Sequence, residues 1–117
     1  MTIELIVDCT RPPLPWDSFV LNPAFSIALD GYVYGGPRFA RKEHGPVANF
    51  NHHEEVDRLA TRATCAQVLM AIRQGLFSTF RNERGPKANV FVNDCDEDVC
   101  TSWFLLKHGH MVENTMN

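Results

Sequence analysis

Apolar residues in this chain gather first into short runs and later into helical repeats. Ile3 to Val7 is an apolar run with β-branched members that ends in Asp8-Cys9, and it predicts a buried strand. Arg11-Pro12-Pro13-Leu14-Pro15 predicts a loop that joins neither helix nor ladder, because its prolines fix φ and remove N–H donors; Trp16 would pin it. Phe25 to Leu29 and Tyr32 to Tyr34 flank Asp30-Gly31, a hairpin-type turn signal, and Gly35-Gly36-Pro37 closes the segment. That pattern fits a hairpin at the sheet edge or one bent strand. Arg38, Arg41, Lys42 and His44 then form a basic stretch that reads as a solvated loop.

Val47 to Phe50 is the next strand-like run. From Val56 the period turns helical, with Val56, Leu59, Ala60, Ala63, Ala66 and Met70 recurring at steps of three and four residues. Thr61 and Thr64 each have the hydroxyl needed to cap a second helix, and Gly75 supplies a stop. Asn82-Glu83-Arg84-Gly85-Pro86 predicts a turn before the strand Val90-Phe91-Val92. A last helix, capped by Asp96 or Asp98, would run through Trp103, Leu106 and Lys107 to Gly109. Strand, helix, strand, helix predicts parallel pairing through a right-handed crossover. The expected fold is therefore α/β: a small, mainly parallel sheet with flanking helices, with an N-terminal β-hairpin as one of the two readings of the Phe25–Tyr34 segment.

Bulk properties bound this picture without selecting a function. A chain of 117 residues suffices for one domain with a real core, so residues 1–117 are expected to form a single α/β domain. Whether it is the N-terminal part of a longer protein stays open. Lysine and arginine number 11 against 14 acids, a net charge of −3 that offers no basic field for duplex nucleic acid. No apolar stretch approaches a bilayer span, so no membrane association is expected. Cys9, Cys65, Cys95 and Cys100 are irregularly spaced, and two fall in predicted helices; they read as reduced thiols of a cytoplasmic protein.

The chemistry lies just after two of the strands. Asn51-His52-His53-Glu54-Glu55 follows one, and Asn93-Asp94-Cys95-Asp96-Glu97-Asp98 follows another. In an open α/β sheet both clusters would sit at the carboxyl ends of neighbouring strands, where such folds bind ligands. Asp94, Asp96 and Asp98 repel one another and need a cation, solvent or helix N–H groups as offset. Imidazole together with carboxylate suits Mn²⁺, Zn²⁺ or Fe²⁺ better than Ca²⁺. Arg58 and Arg62 lie one helical turn apart after the histidines and are the local choice for phosphate contacts, although Arg58 also has ion-pair spacing to Glu54.

Asn49-Phe50-Asn51-His52-His53 resembles the Asp-His-His signature of the DHH phosphoesterases, and Asp96-Glu97-Asp98-Val99-Cys100-Thr101-Ser102 is similar to that family's Asp-x-Asp-x-x-x-Ser motif. The resemblance covers residues 46–107. The two motifs stand here in the opposite order, and Asn51 replaces the signature's aspartate. It implies a Rossmann-like or DHH-like sheet and a divalent-metal centre, with Mn²⁺ foremost. By the resemblance His52, Asp96 and Asp98 would be ligands and His53 a ligand or a contact to the substrate phosphate, with Asp94 or Asp8 compensating for Asn51. With Asp94 in the metal set, His53 and Asp98 would be catalytic, and Arg58 and Arg62, chosen by their spacing, would bind substrate.

The implied function is metal-dependent hydrolysis of a phosphate ester or anhydride of the phosphodiester, nucleotide or polyphosphate class. The partner would be a phosphate-containing small molecule or a short oligonucleotide. A homo-oligomer or a further C-terminal domain would complete the site. Two other readings remain open: a non-catalytic α/β binding or interaction module with a solvated acidic loop, and an aspartyl-phosphate enzyme using Asp94 or Asp96.

Overall fold

Four of the apolar runs pair side by side in the computed structural model, which describes residues 2–8, 13–43, 45–51, 63–93 and 97–108. In chain order the elements are β1 (Thr2–Val7), β2 (Leu14–Pro15), α1 (Trp16–Phe19), β3 (Ser26–Leu29), β4 (Val33–Tyr34), β5 (Arg38–Lys42), β6 (Gly45–Phe50), α2 (Thr64–Arg73), α3 (Leu76–Thr79), β7 (Arg81–Asn82), β8 (Gly85–Val92) and α4 (Glu97–Lys107). The sheet runs β1-β8-β3-β6-β5. Every pairing from β1 to β6 is parallel, β5 lies antiparallel against β6, and β7 forms a short hairpin with β8.

Register explains why this order buries the right residues. Leu5, Val90, Ile27, Ala48 and Phe39 stand in one row across the five strands. That row faces the helices. Val68 and Ile72 of α2, Leu76 and Phe77 of α3, and Val99 and Leu106 of α4 close over it. The opposite face carries Ala28, Val47 and Phe91, covered by Phe19 of α1 with Tyr32 and Val33. Phe19 meets Phe91 edge-on at 5.7 Å between ring centroids. β3 is the central strand, so Ile27, Ala28 and Leu29 are all fully buried on both faces, as the parallel arrangement requires.

The expected α/β class with a mainly parallel sheet and flanking helices is present, and so is an N-terminal strand pair. Several local readings change. Asp30-Gly31 does not turn a hairpin: it carries the chain out of β3 through left-handed backbone (φ 52° and 103°) to β4, which pairs in parallel with β2. The proline-rich segment joins a ladder after all, because Leu14 retains an N–H and donates it to Tyr32 O at 3.0 Å. The basic stretch from Arg38 is strand β5 rather than loop. On α2 the inward face is Thr64, Val68 and Ile72, not the stripe through Ala66 and Met70. Gly75 does end that helix, at φ 98°. Cys65 and Cys100 lie in α2 and α4.

Candidate functional site at the carboxyl edge

Each of the four parallel strands of the main sheet is followed at once by Asp or Asn. Asp8 follows β1, Asp30 follows β3, Asn51 follows β6 and Asn93 follows β8. Parallel pairing brings these residues to one edge of the sheet, where an open α/β fold presents its ligand crevice. The histidine and aspartate segments thus leave from the same edge. They do not leave from neighbouring strands, because β3 runs between β6 and β8. Two strand spacings separate their exits, about 10 Å. Asp30 stands between them.

The described polar groups of this edge are tied to one another. Thr64 Oγ1 donates to Asp30 Oδ1 at 2.9 Å, joining the first residue of α2 to the end of β3. Thr64 is therefore not a side-chain cap; Ala63 occupies the N-cap position. Gln67 grips the Asn51 backbone twice. Its Oε1 accepts from Asn51 N at 3.1 Å, and its Nε2 donates to Asn51 O at 2.9 Å. Asn93 Nδ2 donates to Gly31 O at 3.4 Å, linking the ends of β8 and β3.

Asn51 itself is fully buried, and its side chain is a donor. Nδ2 reaches Gly35 O at 2.8 Å and Val33 O at 3.5 Å. Asn49, on the same face, adds bonds from Nδ2 to Gly36 O at 3.0 Å and Gly35 O at 3.3 Å. The two amides hold the Gly35-Gly36 bend against β6. A carboxylate at position 51 would turn acceptor oxygens toward carbonyl oxygens, so the buried position calls for an amide.

His52, His53, Arg58, Arg62, Asp94 and Asp96 lie outside the described residues, as does the side chain of Asp98, whose backbone belongs to α4. Among the described residues no group of three His, Cys, Asp or Glu side chains gathers to hold a metal ion. Of the described edge groups, Asp8 and Asp30 contribute carboxylates, while Asn51 and Asn93 use their amides in the bonds above. In chemical type the imidazoles at positions 52 and 53 and the carboxylates at 94, 96 and 98 fit a transition-metal ion. Asp30 was missed as an edge residue because Asp-Gly is also a turn signal. The signal that could have found it is the fourfold recurrence of an apolar run closed by Asp or Asn.

A separate cleft of about 310 Å³ lies at the β5 margin, lined by Phe39, Arg41, Phe50, Gln74, Leu76 and Thr79 among others. No helix of the described residues is long and apolar enough to cross a membrane. Comparison with protein-family models, with curated proteins and with solved structures finds no match to this chain.

Proposed function

We propose that this chain is a divalent-metal-dependent hydrolase of a phosphate ester or anhydride, working at the carboxyl edge of its sheet. One observation supports the reading above others. β6 and β8, which feed the histidine and aspartate segments, run parallel on either side of β3 and release the chain at one edge, with Asp30 between them. His52, His53, Asp94, Asp96 and Asp98 would hold the ion, Mn²⁺ by preference and Zn²⁺ or Fe²⁺ by donor type. When bound, the ion supplies an acidified water and positive charge for phosphate oxygens.

The chain's own groups do the rest. Arg58 and Arg62 would supply guanidinium N–H groups for non-bridging phosphate oxygens. His53 would serve either as a further ligand or as a ring N–H contact to the phosphate, and Asp98 would take the proton released from the attacking water. Substrates of this class are small phosphate compounds or short oligonucleotides. Elemental analysis of protein purified without added metal, followed by a phosphodiester and pyrophosphate panel, tests the reading. Near-stoichiometric Mn, Zn or Fe that disappears in the Asp96→Ala/Asp98→Ala double variant is the expected result. Metal-free wild-type protein with no hydrolysis after Mn²⁺ addition would leave the binding-module reading in its place.

A further inference from the structure

Among the described residues strand β5 is paired on one side only, and the bonding of β6 shows which of its residues face the other side. Pro46 O and Phe50 O of β6 point to β3, accepting from Phe25 N at 2.7 Å and Asp30 N at 2.8 Å. Successive residues of a strand send their backbone groups to alternate sides, so Val47 and Asn49 face β5. Their register partners Ala40 and Arg38 bond inward to β6. Phe39 and Arg41 therefore turn N–H and C=O outward, where no strand of the described residues pairs with them.

These two residues also carry the side chains that border the 310 Å³ cleft, above a floor that includes Phe50 and Leu76. Phe39 is half exposed, and the Arg41 guanidinium lies 5.6 Å from its ring centroid. Outward hydrogen-bonding groups, a half-exposed aromatic ring and a hollow thus coincide on one strand edge.

We propose that the open side of β5 receives an extended acidic segment of a partner protein, added as an antiparallel strand. Charge selects this occupant. Arg38, Arg41 and Lys42 fall within five residues of a chain whose net charge is −3. A second copy pairing β5 to β5 would set Arg38 against Lys42 and double the cationic charge, and like charges directly opposite are unfavourable. An acidic strand meets the opposite situation. Residues opposite Phe39 and Arg41 lie on the cleft side, so the partner needs an apolar residue facing Phe39 and an acid facing Arg41. An acid just after the apolar residue meets Arg38 on the other face. Read from its N-terminus, the partner motif is acidic, any, apolar, acidic. Main-chain bonds supply affinity and the alternate side chains supply specificity, as in strand addition generally. The inference rests on β5 alone, independently of any metal chemistry at the carboxyl edge.

The test is fluorescence polarisation with labelled Gly-Glu-Thr-Val-Glu-Gly, and with versions in which Val becomes Ile, Leu or Phe. Saturable binding is expected. It should weaken about tenfold or more when the Val and first Glu nitrogens are methylated, because those N–H groups bond to Phe39 and Arg41 carbonyls. Arg41→Glu should weaken it similarly and admit the peptide with its first Glu, the residue opposite position 41, changed to Lys. Arg41 is exposed, and an unchanged melting temperature of the variant checks that its fold persists. Three outcomes overturn the proposal: no saturation by any of the peptides up to ~1 mM, binding indifferent to N-methylation, or a sedimenting dimer that Arg41→Glu dissociates, which would give the edge to a second copy.

Discussion

Thr64, the first residue of α2, donates its hydroxyl to Asp30 Oδ1 across 2.9 Å, fastening the helix to the carboxyl end of the central strand. Both residues are buried, so the bond forms away from competing water. Thr64→Val keeps the shape and removes the donor. A stability loss of about 1–3 kcal/mol is expected, the cost of withdrawing one partner from a buried polar group. Thr64→Ser restores the hydroxyl and should return most of it. Urea unfolding of the three proteins measures this; equal midpoints for Val and Thr would show that the bond contributes nothing.

Asn51→Asp is nearly isosteric but reverses the hydrogen-bond sense of a fully buried side chain. The substituted oxygen would face Gly35 O, now 2.8 Å from Nδ2, with Val33 O beside it. Lost donors and a buried unpaired acceptor predict destabilisation of about 2–4 kcal/mol near neutral pH. The result discriminates between two views of position 51. If Asn51 chiefly clamps the Gly35-Gly36 bend, the Asp variant melts lower with or without Mn²⁺. Were it a weakened metal ligand, the Asp variant would gain stability on Mn²⁺ addition that the parent does not.

What was legible in the residues was local. Ile3–Val7, Val47–Phe50 and Val90–Val92 are mainly apolar runs, and all three are strands, but β1 lies at the sheet edge with Ile6 and Val7 exposed rather than buried as expected. The place of β3 was not legible. Asp30-Gly31 signals left-handed backbone correctly, but the same backbone serves a hairpin or an exit from a central strand, and only pairing across distant residues decides between them. β5 was hidden because its side chains are largely exposed, and no apolar alternation marks an edge strand of that kind. The metal-capable clusters were visible as residue types at strand exits. The intervening β3, set by the crossover from β6 to β8, was not.

The face of α2 gives a direct contrast between two residues two positions apart. Periodicity favoured Met70, whereas Ile72 is fully buried in the core with Val68 and Leu76. The inward direction was misjudged because the pattern counted alanines, which leave little side chain to bury. Ile72→Ala should cost about 2–5 kcal/mol by lost transfer energy and cavity formation. Met70→Ala, at a partly exposed position, should cost clearly less. Parallel urea melts of the two variants decide the orientation, and an equal loss would require the helix to be rotated.

Metal linkage tests the carboxyl edge without needing the substrate. An ion that binds only the folded chain stabilises it by RT ln(1 + [ion]/Kd), about 2.7 kcal/mol at a hundredfold excess over Kd. For a domain of this size that raises the melting temperature by roughly 10 °C. Mn²⁺ should produce the rise in wild-type protein stripped with EDTA, Ca²⁺ should produce less, and Asp96→Ala/Asp98→Ala should abolish it. The clusters leave the sheet from strands on either side of β3, so an ion held by both would tie the histidine and aspartate segments together. His52→Ala/His53→Ala should then remove the shift as completely as the aspartate pair does. A shift that survives loss of the histidines would mean that the aspartates bind cations by themselves, and the shared site spanning β3 would have to be abandoned.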